Sequence, residues 1–112
     1  MRYLLVMAAL LASQPKEQSR VAFTHALPKL DGSHLAVTIV EVTYAPGGSS
    51  APHHHTCPVI AYVVSGALKS NDSTYTAGQS FYEAPMAEHY MSANASQTQP
   101  VTFLAYFVCD TP

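Results

Sequence analysis

The sequence predicts an all-β fold in a single domain, on three observations. The chain has 112 residues, which is enough for one modest core. It is 48% hydrophobic and only 11% charged, a balance that favours a compact fold over disorder. Short runs rich in Val, Ile, Thr and aromatic residues recur between Gly, Pro and Asn turns, and no segment past Ala12 shows a capped apolar period of 3.6 residues. That pattern belongs to a β-sandwich or barrel.

The elements follow in order. A positive start, Met1-Arg2-Tyr3, precedes an apolar stretch over 4–12 that ends at Ser13-Gln14-Pro15-Lys16. This stretch is too short to span a bilayer and suits the apolar region of a signal peptide. Residues 1–12 are therefore read as a signal peptide; a short packed helix or strand is the competing reading. The product is expected to be periplasmic or secreted, with no membrane attachment after signal removal. Residues 13–19 form a polar linker, and 20–112 form the domain. A first strand is expected over 20–27, then a turn at Asp31-Gly32. Residues 34–44 read as a strong strand, closed by Pro46-Gly47-Gly48. Residues 52–55 are short and extended. A long apolar strand over 59–68 bends at Ser65-Gly66. Short strands follow at 73–76, 80–84 and 89–93, separated by turns, and 101–109 is the last strand.

The formal net charge is −2 with no basic run, so nothing offers an electrostatic footprint for nucleic acid. The chemistry lies in the histidines. His53, His54 and His55 are consecutive. In extended chain, side chains alternate faces, so His53 and His55 share a side and His54 turns away. A third imidazole, His89, arrives from another segment. Imidazole suits Zn, Cu, Fe and Ni. Cys57 continues the same period of two. It has three open roles: a fourth, thiolate ligand; a partly buried thiol; or half of a disulfide with Cys109, which an exported protein allows. His25 and His34 lack a partner pattern and are expected at the surface or an interface. Near His89 stand two carboxylates. Glu83 is the catalytic candidate, a general base if it faces a desolvated interior, and Glu88 suits solvent better. Tyr62, Phe81, Met91, Phe103 and Tyr106 lie on strands and are candidates for core or for the walls of a substrate pocket. Asn94 is expected to satisfy its own backbone at a turn.

Two segments carry a resemblance. Residues 47–66, from Gly47 through His53, His55 and Val59 to Gly66, follow the form G-x5-H-x-H-x3-4-E-x6-G. Residues 78–94, from Gly78 through Pro85 and His89 to Asn94, follow G-x5-P-x-G-x2-H-x3-N with small shifts. On these motifs the chain resembles the cupins, and among them the small exported bacterial proteins described as quercetin-dioxygenase-like. The resemblance implies a single-domain jelly-roll barrel, a double-stranded β-helix. Inside it, His53, His55 and His89 would hold one divalent transition metal: Zn, Fe, Mn, Ni or Cu. It also implies a homodimer and a small-molecule ligand. Two departures matter. The motif's glutamate falls at Val59, which cannot bind metal, and the second motif's glycine falls at Met86. The expected function is metal-dependent, oxygenase-like handling of a small oxygen-bearing chelating compound. The alternative is a non-catalytic module that binds a small molecule or sugar. A structural or redox role, with Cys57 and Cys109 paired, is a third reading.

Overall fold

The computed structural model describes residues 17–110. The signal-peptide reading of residues 1–12 lies outside them, as do the first four linker residues. Eight strands follow one another: β1 (Leu35–Tyr44), β2 (Ser49–Ser50), β3 (Val59–Ser65), β4 (Ala67–Ser70), β5 (Ser73–Thr76), β6 (Ser80–Glu83), β7 (Ser92–Asn94) and β8 (Val101–Asp110). They form two antiparallel four-stranded sheets, ordered β1-β8-β3-β6 and β2-β7-β4-β5, in a jelly-roll arrangement. Among the described residues there is no helix.

Period-two alternation decides which residues enter the interior. In β3, Val59, Ala61 and Val63 are buried, while Ile60 and Tyr62 are half-buried on the other face. In β8, Val101, Phe103 and Ala105 are buried between partly exposed neighbours. Ala61, Val63, Leu68, Phe81, Val101 and Phe103 make the core, and Val42, Tyr44 and Tyr75 pack against it.

The expected bend near Gly66 is where the chain leaves one sheet for the other. Gly66 has φ +82°, and a Cβ there would collide with the carbonyl oxygen of Pro100, so glycine serves both backbone and packing. The strand expected over 59–68 is therefore two strands. The strand expected over 89–93 is also shorter: β7 begins at Ser92, and His89 makes only an isolated bridge with His53.

The first expected strand, over 20–27, does not form. Residues 21–25 of this segment border a surface pocket with Val37, Ile60, Tyr62 and Tyr106 on the outer face of the first sheet, and none of them pairs with a strand. Arg20 donates to the Gly78 carbonyl at 3.0 Å, and the His25 ring stacks on Tyr82 at 3.8 Å. On edge strand β1, Leu35, Val37 and Ile39 remain exposed.

Candidate metal centre

His53 and His89 are joined by their backbones before their rings meet. Each donates its N–H to the other's carbonyl, at 3.1 and 3.0 Å. Such a directly opposed pair puts the two side chains on one side of the ribbon. The Met86 amide donates to the His55 carbonyl at 2.7 Å, so the turn before His89 also holds His55. Met86 adopts φ 64°, the left-handed conformation that the resemblance assigns to glycine.

The three rings converge. His53 Nε2 lies 3.3 Å from His89 Nδ1, and one ligating nitrogen from each of His53, His55 and His89 falls within a 4.8 Å span. An ion held about 2.0–2.1 Å from each nitrogen keeps ligand atoms no more than about 4.2 Å apart. An ion at this place would need the triangle slightly tighter than it stands, and His53 and His55 are its half-buried members. The opposite ring nitrogens of His53 and His89 are occupied. His53 Nδ1 donates to the Ala51 carbonyl at 2.8 Å, which leaves the Nε2 lone pair aimed at the site. His89 Nε2 lies 2.9 Å from Ser70 Oγ. His54 is exposed, as the alternation requires.

Glu83, on β6, enters the same cluster. Its Oε1 lies 3.0 Å from His89 Nδ1, and its Oε2 lies 3.5 Å from His55 Nε2. The His55 pKa is lowered from its ordinary value, first by burial; the Glu83 charge opposes this, and His53, His89 and His54 add to it.

The rings open onto a cavity of about 270 Å³ between the sheets. Val42, Val59, Ala61, Phe103 and Phe107 supply apolar wall, and His55 packs edge-on against Phe107 at 5.0 Å. Tyr44 brings a hydroxyl, held by Ser50 Oγ at 2.8 Å and Ser92 Oγ at 3.0 Å.

Of the residues that were candidates for core or pocket wall, Phe81 and Phe103 belong to the core cluster and also line this cavity. Tyr62 and Tyr106 do not: they alternate with inward-facing Ala61 and Ala105, so they sit on the outer face beneath residues 21–25. Met91 is also absent from the wall; it follows the His89 bridge, and its amide is taken by Asn71 Oδ1 at 3.2 Å. Cys57 is no thiolate ligand. It is bonded to Cys109, which settles the role left open between ligand, free thiol and disulfide. Glu88 is exposed. Asn94 does accept from the Ser96 amide two residues on, but it is also buried and donates toward the carbonyls of Tyr44, Ala45 and Gln99. Tyr44, Ser50, Ser70 and Ser92 escaped the sequence reading. Isolated hydroxyls carry no spacing signature; only the inward parity of Val42 and Tyr44 could have pointed to one of them.

A family model described as Cupin domain matches residues 40–107. Solved structures share the fold. A cupin domain from Bordetella pertussis is 24% identical, with a TM-score of 0.54, over 72% of this chain and 88% of that one. A protein of unknown function with a cupin-like fold from Ralstonia eutropha is 22% identical, with a TM-score of 0.56, over 65% of this chain and 47% of its own. Oxalate oxidase in complex with the substrate analogue glycolate is 20% identical, with a TM-score of 0.53, over 88% of this chain and 66% of that one. The chain thus spans about half the length of the Ralstonia eutropha protein, 47%. No curated protein matches it by sequence.

Proposed function

The chain belongs to the cupin family, and from that premise we propose that His53, His55 and His89 hold one divalent transition metal beside a cavity for a small oxygen-bearing chelating compound. The observation that carries this reading is the convergence of three imidazoles, from two separated segments, at an apolar cavity. The donor set fits. A ligating histidine usually gives its other N–H to a protein acceptor, as His53 does to Ala51. For His89 to offer Nδ1, its proton must sit on Nε2 and be donated to Ser70 Oγ.

When bound, the metal supplies Lewis acidity that polarises an oxygen of the ligand. The chain's own residues do the rest. The valine and phenylalanine walls exclude water, which strengthens every polar contact inside. The Tyr44 hydroxyl, fixed by Ser50 and Ser92, offers a hydrogen bond to a polar group elsewhere on the ligand. A small acid that chelates through two oxygens suits such a cavity, and the fold neighbour bound to glycolate handles compounds of that kind. The catalytic form of this reading is an oxygenase-like enzyme. A binding module without turnover is the second form, favoured by Val59 at the place of the motif's glutamate.

Metal analysis of protein purified without added metal tests the reading. One equivalent, lost on His53→Ala, is expected; no stoichiometric metal and no effect of the substitution would overturn it. Dioxygen consumption with two-oxygen acids separates the two forms, since saturable binding without consumption leaves the module. The Cys57–Cys109 disulfide supports the exported location, because such bonds persist in oxidising compartments. The exposed Leu35, Val37 and Ile39 on edge strand β1 support a homodimer. Light scattering that gives a single-chain mass would exclude it.

A further inference from the structure

We infer that Glu83 is the fourth protein ligand of the metal, a carboxylate delivered from β6 in place of one that β3 lacks. The inference rests on the three-histidine reading above and deepens it.

Register is the first ground. Val59 and Glu83 are directly opposed in the β3–β6 ladder. Opposed residues on one face have Cβ atoms about 4.5–5.5 Å apart. A carboxylate side chain at Glu83 therefore reaches the space that a glutamate at 59 would have entered. Both residues line the cavity.

Distance is the second ground. Ligand atoms adjacent on one ion, each about 2.0–2.2 Å from it, stand roughly 2.9–3.4 Å apart. Glu83 Oε1 is 3.0 Å from His89 Nδ1, and His89 Nδ1 is 3.3 Å from His53 Nε2. Glu83 Oε2 is 3.5 Å from His55 Nε2, so the carboxylate touches two of the three rings.

Charge is the third ground. The Glu83 side chain is only 15% exposed. A carboxylate so enclosed must be paired or coordinate a metal. No lysine or arginine is among the residues lining the cavity, and the partners it has are imidazoles. Three neutral imidazoles leave a divalent ion's charge uncompensated, and one carboxylate halves it. A general base needs a free carboxylate oxygen facing the substrate. Both Glu83 oxygens face the rings instead, at 3.0 and 3.5 Å, a geometry that suits a ligand.

Zinc(II) titrations against a competing chelator, with cobalt(II) absorption as a second readout, test the assignment. Glu83→Gln keeps the shape of the side chain but removes the anionic donor. It is expected to weaken zinc binding about 100-fold or more, beyond the cost of losing a residue that only orients a ligand. The cobalt(II) bands are expected to shift as a donor is replaced. Zinc binding within a few-fold of wild type with unchanged cobalt bands would overturn the assignment. The swapped pair, Glu83→Val with Val59→Glu, covers the case in which the single variant does not fold. Folded swapped protein that binds zinc as wild type does supports the inference, and folded swapped protein that binds as weakly as Glu83→Val alone overturns it. Wild type that binds no zinc defeats the three-histidine reading itself. Wild type that binds zinc, loses it on His53→Ala and ignores Glu83→Gln defeats only this one.

Discussion

Removing the Cys57–Cys109 bond, by Cys57→Ala with Cys109→Ala, is expected to cost much of the stability of the fold. The two residues are 52 apart in sequence, with Cα atoms 5.2 Å apart. Closing a loop of that length in the unfolded chain removes about 14 cal/mol/K of entropy, or about 4 kcal/mol at 25 °C on the chain-entropy account. Nearby contacts outlast the bond: Val108 still donates to the Pro58 carbonyl, and Val59 still pairs with Phe107. The loss therefore falls mainly on the unfolded state rather than on the ladder. Urea unfolding followed by far-ultraviolet circular dichroism reads it. With a slope of about 1–3 kcal/mol per molar, the midpoint falls by roughly 1.3–4 M. Wild type in reductant should match the double variant, and reductant should not move the variant further. A double variant whose midpoint equals that of oxidised wild type would refute the reasoning.

Three other outcomes are expected. Met86 holds φ 64° and is largely exposed, so Met86→Gly relieves a conformation that costs an L-residue about 1–2 kcal/mol; after glycine's own entropy cost, thermal unfolding should show a gain of up to about 1 kcal/mol. Ser70→Ala removes the acceptor for His89 Nε2 and should weaken zinc binding about 10- to 100-fold with the circular dichroism spectrum unchanged, as titration against a chelator will show. In metal-free protein, burial lowers the His55 pKa below its ordinary 6.5, so folding disfavours its proton. This group's contribution is fully present above about 6.5 and is lost as pH falls from there toward the lower folded value, because the unfolded chain binds the proton first. Melting temperatures measured down that range should fall less steeply for His55→Gln than for wild type.

Much of the fold could be read from residues taken singly and in short runs. The strand expected over 34–44 is β1 within a residue, and the one expected over 101–109 is β8 within a residue. Their Val, Ile, Thr and aromatic content fits a pleated surface. The alternation of His53, His54 and His55 was also legible, because period two is a property of the local backbone. The phase of a strand was less so. Tyr62 and Tyr106 were candidates for core or pocket wall, and both faces of the first sheet carry apolar residues. Hydrophobicity could not say which face closes on the cavity. The interior takes small Ala61 and Ala105 at the cavity wall, and the tyrosines that alternate with them lie outside. The segment over 20–27 had the composition of a strand, but it pairs with neither edge of the sheet and lies by its outer face instead.

The amino-acid sequence determined the donor types and their local parity: two imidazoles on one side of an extended segment, a third downstream, and a missing glutamate at Val59. Only the tertiary structure decided which carboxylate meets them and what Cys57 does. Parity follows from neighbouring dihedral angles, whereas Glu83 faces Val59, and Cys57 meets Cys109, through strand register between distant segments. That register is set by how two whole faces pack, and no short stretch of chain contains it.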